Sequence, residues 1–378
     1  MGQAVAATAL DDFGEPEFRD GLRAYCASAS AEARLTDFGT GAIKGTIVAS
    51  LANRLRVVDW AKQHPAVRDE RIEAPIVVIG MFRAGTTLLS YLFDQDPCNR
   101  ALLGWEAGDT VPPPTIETHR QGPRLDAARA KAAMLDQLNP AARVVHHEEP
   151  DGPTEDIAVM AQDFKSLSWE AISNVPSYNE WLLGVDQTSA YRYHRLVLQT
   201  LQSAGVRGRW TLKSPHHAIA LDALLSVYPD ARLVLLHRDP AVLCASVCSL
   251  IRTLSSTFTD ADHNAYIAAH WTALLQESVA RIESFRAAHP EHPICDVLYA
   301  DLVRNPAAAV GTIYRALGLE LTSTTLDRVA AYVAKHPRGE FGAHRYNLAD
   351  FGLDADRVRA QFADYTLRYN VPAERQAG

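Results

Sequence analysis

The segment Pro75-Ile-Val-Val-Ile-Gly-Met-Phe-Arg-Ala-Gly-Thr-Thr-Leu-Leu89 constrains this chain more than any other. Ile76–Ile79 is a short apolar run of the kind that forms a buried strand. Gly80 and Gly85 bracket a tight loop, and Thr86 opens a helical pattern. Glycines let a backbone turn sharply and bring N–H groups against a ligand. A helix N-terminus adds unpaired donors and partial positive charge, so this layout suits a phosphate. The nucleoside-triphosphate form, G-x-x-x-x-G-K-[ST], needs a lysine where Thr86 stands. Here the cation is Arg83, inside the turn, and the missing lysine argues against ATP or GTP hydrolysis. The plainest alternative is a strand–turn–helix whose glycines serve packing only. A cation between the glycines and the paired threonines weigh against it.

Composition bounds the partners. With 378 residues the chain holds one large or two ordinary domains. An apolar fraction of 47% and a charged fraction of 22% are those of a water-soluble globular protein. The net charge of −8 speaks against a nucleic-acid partner and makes any anion site local. Five cysteines without a C-x-x-C pair fit reduced thiols and a cytoplasmic location. Residues 1–10 lack the basic and long apolar regions of a secretory leader. No segment approaches the roughly 18 apolar residues of a membrane span.

Residues 1–70 read as helical, with apolar positions at helical spacing over Ile47–Trp60. From Ile76 short apolar runs alternate with helical patterns. Strands are expected at Ile76–Ile79, Trp210–Leu212, Leu233–Leu236 and Asp296–Leu298. Helices are expected at Thr86–Phe93, Tyr191–Ser203, Pro240–Leu250, Tyr266–Ala287 and Ala307–Leu317. That alternation predicts an α/β fold, a P-loop-like parallel sheet with helices on both faces. The expected organisation is a single domain over 1–378: a helical segment 1–70, a nucleotide-binding core 71–320 and a helical extension 321–378. The extension carries helical patterns near Thr324–Lys335 and Asp354–Tyr369. Residues 111–153, rich in Pro, His and acids, read as a loop-and-helix insertion beside a substrate cleft.

A second constellation is Arg232-Leu-Val-Leu-Leu-His-Arg-Asp-Pro-Ala-Val-Leu-Cys-Ala-Ser246. A buried strand ends at His237-Arg238, Asp239 suits an N-cap and Pro240 the first helical position. Arg238 therefore emerges on the same sheet edge as the glycine loop, with Ser246 about two turns into the helix. A guanidinium and a hydroxyl there suit a second phosphate. His237-Arg238-Asp239 matches part of a protein-kinase catalytic loop, but no other kinase motif accompanies it. The run His146-His147-Glu148-Glu149 lacks the spacing of a metal site, and no metal is expected.

Together these elements resemble the sulfotransferases that use 3′-phosphoadenosine 5′-phosphosulfate (PAPS), closest to bacterial-type members. Arg83-Ala84-Gly85-Thr86-Thr87 is similar to the family's 5′-phosphosulfate loop. Arg238 and Ser246, eight apart, resemble its 3′-phosphate motif. Leu212-Lys-Ser-Pro-His-His217 resembles the segment that carries catalytic groups. Leu298-Tyr-Ala-Asp-Leu-Val-Arg-Asn-Pro306 is similar to the family's late strand and turn. His336-Pro-Arg338-Gly339 resembles the segment that closes over the nucleotide. The likeness spans about residues 71–347.

The resemblance implies transfer of a sulfuryl group from PAPS to a hydroxyl of a small-molecule, lipid or carbohydrate acceptor, leaving 3′,5′-adenosine bisphosphate. It implies Arg83, Ala84, Gly85, Thr86, Thr87, Arg238, Ser246, Arg338 and Gly339 as cofactor-binding residues. The chemistry needs a base for the attacking hydroxyl and cations for the departing oxygen. Arg83 and Lys213 are the expected cations. His216 is the first candidate base, because imidazole titrates near neutrality. Glu155, in Asp151-Gly-Pro-Thr-Glu-Asp156, is its rival; there a helix-capping role is the alternative. Departures from the family pattern are Ala84 for a loop serine, Leu88 for an adenine-stacking tryptophan, Arg83 for lysine, and Pro215 at a catalytic histidine position. The rival readings are a P-loop kinase or NTPase and a non-catalytic nucleotide-binding protein of the same fold. The pattern is compatible with a homo-oligomer.

Overall fold

Ile76, Val77, Val78 and Ile79 have no solvent exposure. Their strand is therefore covered on both faces, as in a parallel sheet between helices. The computed structural model describes residues 1–145, 148–337 and 347–374. Within them the strands are β1 (Ile76–Gly80), β2 (Asn99–Ala101), β3 (Arg209–Ser214), β4 (Arg232–His237) and β5 (Ile294–Leu298). They form a parallel sheet of order β2-β3-β1-β4-β5, flanked by helices. All four expected strands are present. β2 is an addition: Asn-Arg-Ala has no apolar pattern, and it is a strand because it pairs with Arg209–Thr211.

The topology fixes where a ligand can sit. The chain leaves β1 through the helix Thr86–Phe93, runs to the edge strand β2, returns to β3 and then crosses to β4. Winding reverses at β1, and open parallel sheets bind ligands at the carboxyl ends beside such a reversal. Register brings the candidate residues there. Val78 lies opposite Lys213, and Gly80 opposite Leu236, so Arg238 follows just beyond the same edge.

The helical flanks are more extensive than expected. The helix Asp37–Gln63 begins well before Ile47, capped by Thr36, whose side chain accepts from the Gly39 N–H. Gly39 lets that helix close on its neighbour: a Cβ there would lie 2.0 Å from the Phe258 carbonyl oxygen. The helix expected over 354–369 is instead two, Ala355–Gln361 and Ala363–Arg368. The break is at Phe362, a buried residue whose backbone is non-helical at φ −113° and ψ 22°. Residues 111–153 contain the helices Pro123–Leu138 and Pro140–Val145. Cys244 and Cys248 are buried free thiols. Among the described residues no helix is long and apolar enough to cross a membrane.

Candidate active site

The loop after β1 is held in a strained form. Arg83 has φ 71° and Gly85 φ 98°. Positive φ is unfavourable for a residue with a side chain, so the surrounding fold imposes it on Arg83. Gly85 is required for space as well, because a Cβ there would lie 2.5 Å from the Tyr299 ring. Gly85 is also the N-cap of Thr86–Phe93 and brings no capping side chain. The first-turn N–H groups of that helix thus have no side-chain cap, an arrangement that suits an anion. Ala84 is fully buried under the loop.

The segment after β4 forms the expected cap and helix. Asp239 caps the helix Pro240–Ser255, accepting from the Ala241 N–H at 3.0 Å, with Pro240 at the first position. Arg238 lies over Tyr299, 3.9 Å from the ring centre. Its Nη1 donates to the Arg83 carbonyl oxygen at 2.9 Å, and Arg83 Nε donates to Ser246 Oγ at 3.0 Å. The loop after β1 and the segment after β4 are therefore bonded to each other through Arg83. Arg238 Nε and Nη2 also donate to both carboxylate oxygens of Glu374, at 2.9 and 3.0 Å.

Lys213 is only 1% exposed, with Nζ 3.3 Å from Glu155 Oε1 and 3.5 Å from Glu148 Oε1. Burial pulls its pKa down, but the two carboxylates together outweigh burial and hold it above the ordinary lysine value. Glu148 is fixed in turn by the Thr154 hydroxyl, which donates to its Oε2 at 2.8 Å. Thr154 does not open a helix; the next one begins at Ile157. The capping alternative for Glu155 therefore does not arise. Glu155 is 16% exposed and lines the cleft.

His216 is placed away from the cleft. It is fully buried, its Nδ1 accepts from the Leu167 N–H at 3.3 Å, and its Nε2 meets Gln187 Oε1. Burial pushes its pKa down to about 3, with His217 adding to the effect. It faces the core, while its neighbour Pro215 lines the cleft. Asp156, beside Glu155, is the other inward group. Its Oδ2 lies 3.1 Å from His217 Nε2, and its Oδ1 lies 3.2 Å from His194 Nε2 but misdirected for a hydrogen bond. The far nitrogens of the two rings meet the Tyr191 and Tyr228 hydroxyls at 2.9 and 2.8 Å. Burial raises the Asp156 pKa, but the two histidines overcome it and hold the carboxyl near 2. The Asp156 N–H donates to the Lys213 carbonyl oxygen at 2.9 Å, tying the Glu155 segment to the end of β3.

A cleft of about 500 Å³ gathers the exposed groups. Its polar lining includes Arg83, Thr86, Thr87, Glu155 and Arg238, and its apolar lining includes Phe82, Ile157, Ile172, Leu250 and Leu254. Phe82 is steadied edge-on against Trp271, ring centres 4.9 Å apart. Lys213 lies beneath Glu155 rather than on the cleft surface. Arg338 and Gly339 lie outside the described residues, as do His146 and His147. Sequence reasoning missed four residues. Glu148 was visible only within a His/Glu run, and Tyr299 only within a motif. Asp156 was marked only by its place beside Glu155, and Glu374 by nothing local.

The loop, the parallel sheet and the cleft define an α/β protein with a candidate anion site at the carboxyl edge of its sheet, and comparison with known proteins sharpens that class. Residues 75–323 match the model of the sulfotransferase family. The chain is 32% identical to sulfotransferase STF9 from Mycobacterium avium, with a TM-score of 0.88, covering 99% of this chain and 96% of that one. It is also 32% identical to sulfotransferase STF1 from Mycobacterium tuberculosis, with a TM-score of 0.86, covering 96% and 97%. Over 288 residues it is 23% identical to the omega-hydroxy-beta-dihydromenaquinone-9 sulfotransferase Stf3 of Mycobacterium bovis, covering 73% of this chain and 70% of that protein. This chain belongs to the sulfotransferase family.

Proposed function

We propose that the protein transfers a sulfuryl group from PAPS to the hydroxyl of an apolar small-molecule or lipid acceptor. The observation that carries this reading is a single cleft. It is lined by the loop after β1, a second guanidinium and one carboxylate together with a set of apolar side chains. Two guanidinium groups linked through Arg83 suit a donor with charge at both its 5′ and 3′ ends. Glycines where a Cβ would meet Tyr299 or Thr86, and a helix start without a side-chain cap, fit a phosphosulfate. The apolar lining favours a hydrophobic alcohol over a free sugar, in keeping with the lipid named for the Stf3 relative.

When bound, the donor supplies the sulfuryl group, whose bond to the 5′-phosphate oxygen breaks as the acceptor oxygen bonds to sulfur. Glu155 takes the acceptor's proton; it lines the cleft, and His216 does not. Lys213 orients Glu155 from below. Arg83, Gly85, Thr86 and Thr87 hold the charge left on the 5′-phosphate. Arg238 and Ser246 take the 3′-phosphate, with Arg338 and Gly339 assigned to the nucleotide by family likeness alone.

Thermal denaturation tests the donor. Millimolar 3′,5′-adenosine bisphosphate is expected to raise Tm by several degrees, because a ligand that binds only the native state stabilises it. ATP with Mg²⁺ is expected to change Tm little. Equal shifts, or a larger one with ATP, overturn the donor assignment.

A further inference from the structure

Resting on that reading, we propose that Glu374 is a built-in occupant of the 3′-phosphate position. Its carboxylate holds Arg238 in the free protein and yields only to a nucleotide phosphorylated at the 3′ position. The two-pronged contact, at 2.9 and 3.0 Å, is the geometry by which a guanidinium also takes a phosphate. Arg238 is 13% exposed and Glu374 27%, so the pair is largely withdrawn from water. A cation so placed needs a counter-charge when no ligand is present. Glu374 supplies one negative charge, and a 3′-phosphate brings close to two to the same guanidinium.

The placement of Glu374 does not depend on its own carboxylate. Its N–H donates to Asp239 Oδ2 at 2.7 Å, and its carbonyl oxygen accepts from Arg359 Nη2 at 3.1 Å. Arg359 also grips the Asp239 carboxylate, Nη2 to Oδ2 at 2.8 Å. Asp239 is itself the N-cap of the helix that carries Ser246. The backbone at 374 is thereby fastened to the start of that helix, and its side chain is aimed back at the residue before the cap. Swinging that side chain away opens the 3′-phosphate position without releasing the backbone. A nucleotide with a free 3′-hydroxyl offers Arg238 nothing in exchange and leaves the pair closed. After transfer, the same carboxylate is at hand to retake Arg238 as the bisphosphate leaves.

Calorimetric titration of the full chain tests this. A closed population lowers apparent affinity by the fraction of open protein. Glu374→Gln is therefore expected to tighten 3′,5′-adenosine bisphosphate about tenfold while leaving 5′-AMP within about twofold. In an Arg238→Ala background the same substitution is expected to change nothing, because the two effects belong to one pair. Bisphosphate affinity that is unchanged or weaker in Glu374→Gln overturns the proposal while leaving the donor assignment standing. A gain that persists without Arg238, or that extends equally to 5′-AMP, also overturns it. Absence of bisphosphate binding in both wild type and variant removes the donor assignment and this proposal together.

Discussion

Two short segments reach the carboxyl edge of the sheet beside β1, and they present their titratable groups in opposite directions. One follows β3: Pro215 lines the cleft, and His216 and His217 are buried. The other precedes Ile157–Met160: Glu155 lines the cleft, and Asp156 is buried. In each, one of two adjacent residues faces ligand space and the other faces the core. What decides is whether a group finds partners inside, since an unpartnered buried polar group is costly. Asp156 finds two imidazoles, and His216 finds the Leu167 N–H and Gln187. Glu155 finds Lys213 from one side only and keeps its other side toward the cleft.

The largest effect expected from this contrast is on turnover. Glu155→Gln should lower kcat by about 10²- to 10⁴-fold, the range of a positioned general base. Its affinity for the bisphosphate should hold within about twofold, since the proposed role of Glu155 is toward the acceptor and not the nucleotide. His216→Gln, measured beside it, should alter kcat only a few-fold. The reverse ranking would return the base to the segment after β3.

Lys213→Met comes next. The substitution leaves Glu155 and Glu148 facing each other without the cation they share. Two such carboxylates retain a proton between them as pH falls. A loss in kcat of about tenfold at pH 8 that grows at pH 6 is therefore expected. A loss independent of pH would mean that Lys213 acts on the departing group directly.

The legible parts of the molecule were those written in local pattern. β1, β4 and the helix Thr86–Phe93 follow from apolar runs and glycine punctuation, and the Asp239-Pro240 cap from two residues. Parallel order then places Arg83, Lys213 and Arg238 on one edge without further information. Side-chain direction was not legible. Nothing in Lys213-Ser-Pro-His216 says that the turn after β3 rolls His216 inward, because that depends on Gln187 and Leu167, distant in sequence. Glu148 and Glu374 were hidden for the same reason. Their partners, Lys213 and Arg238, lie 65 and 136 positions away. β2 was hidden because pairing, rather than composition, makes it a strand.

The smallest expected effect probes the buried half of the comparison through stability. The folded-state pKa of His216 is lowered to about 3, against about 6.5 in an unfolded chain. Below pH 6.5 the unfolded state therefore binds a proton that the folded state refuses, and stability falls as pH drops toward 3. Asp156 acts in the same direction, but in a lower pH window. Held near 2, it contributes stability that is complete above about pH 4 and is lost only below that. Between pH 6.5 and 5.5 Asp156 is silent, and His216 should account for about 1 kcal/mol of the fall in unfolding free energy. Urea denaturation of His216→Gln should show a shallower slope across that interval by this amount, whatever the variant's stability at pH 7. Equal slopes would mean that His216 keeps an ordinary, solvent-like proton affinity in the fold, and the contrast with Glu155 would no longer rest on burial.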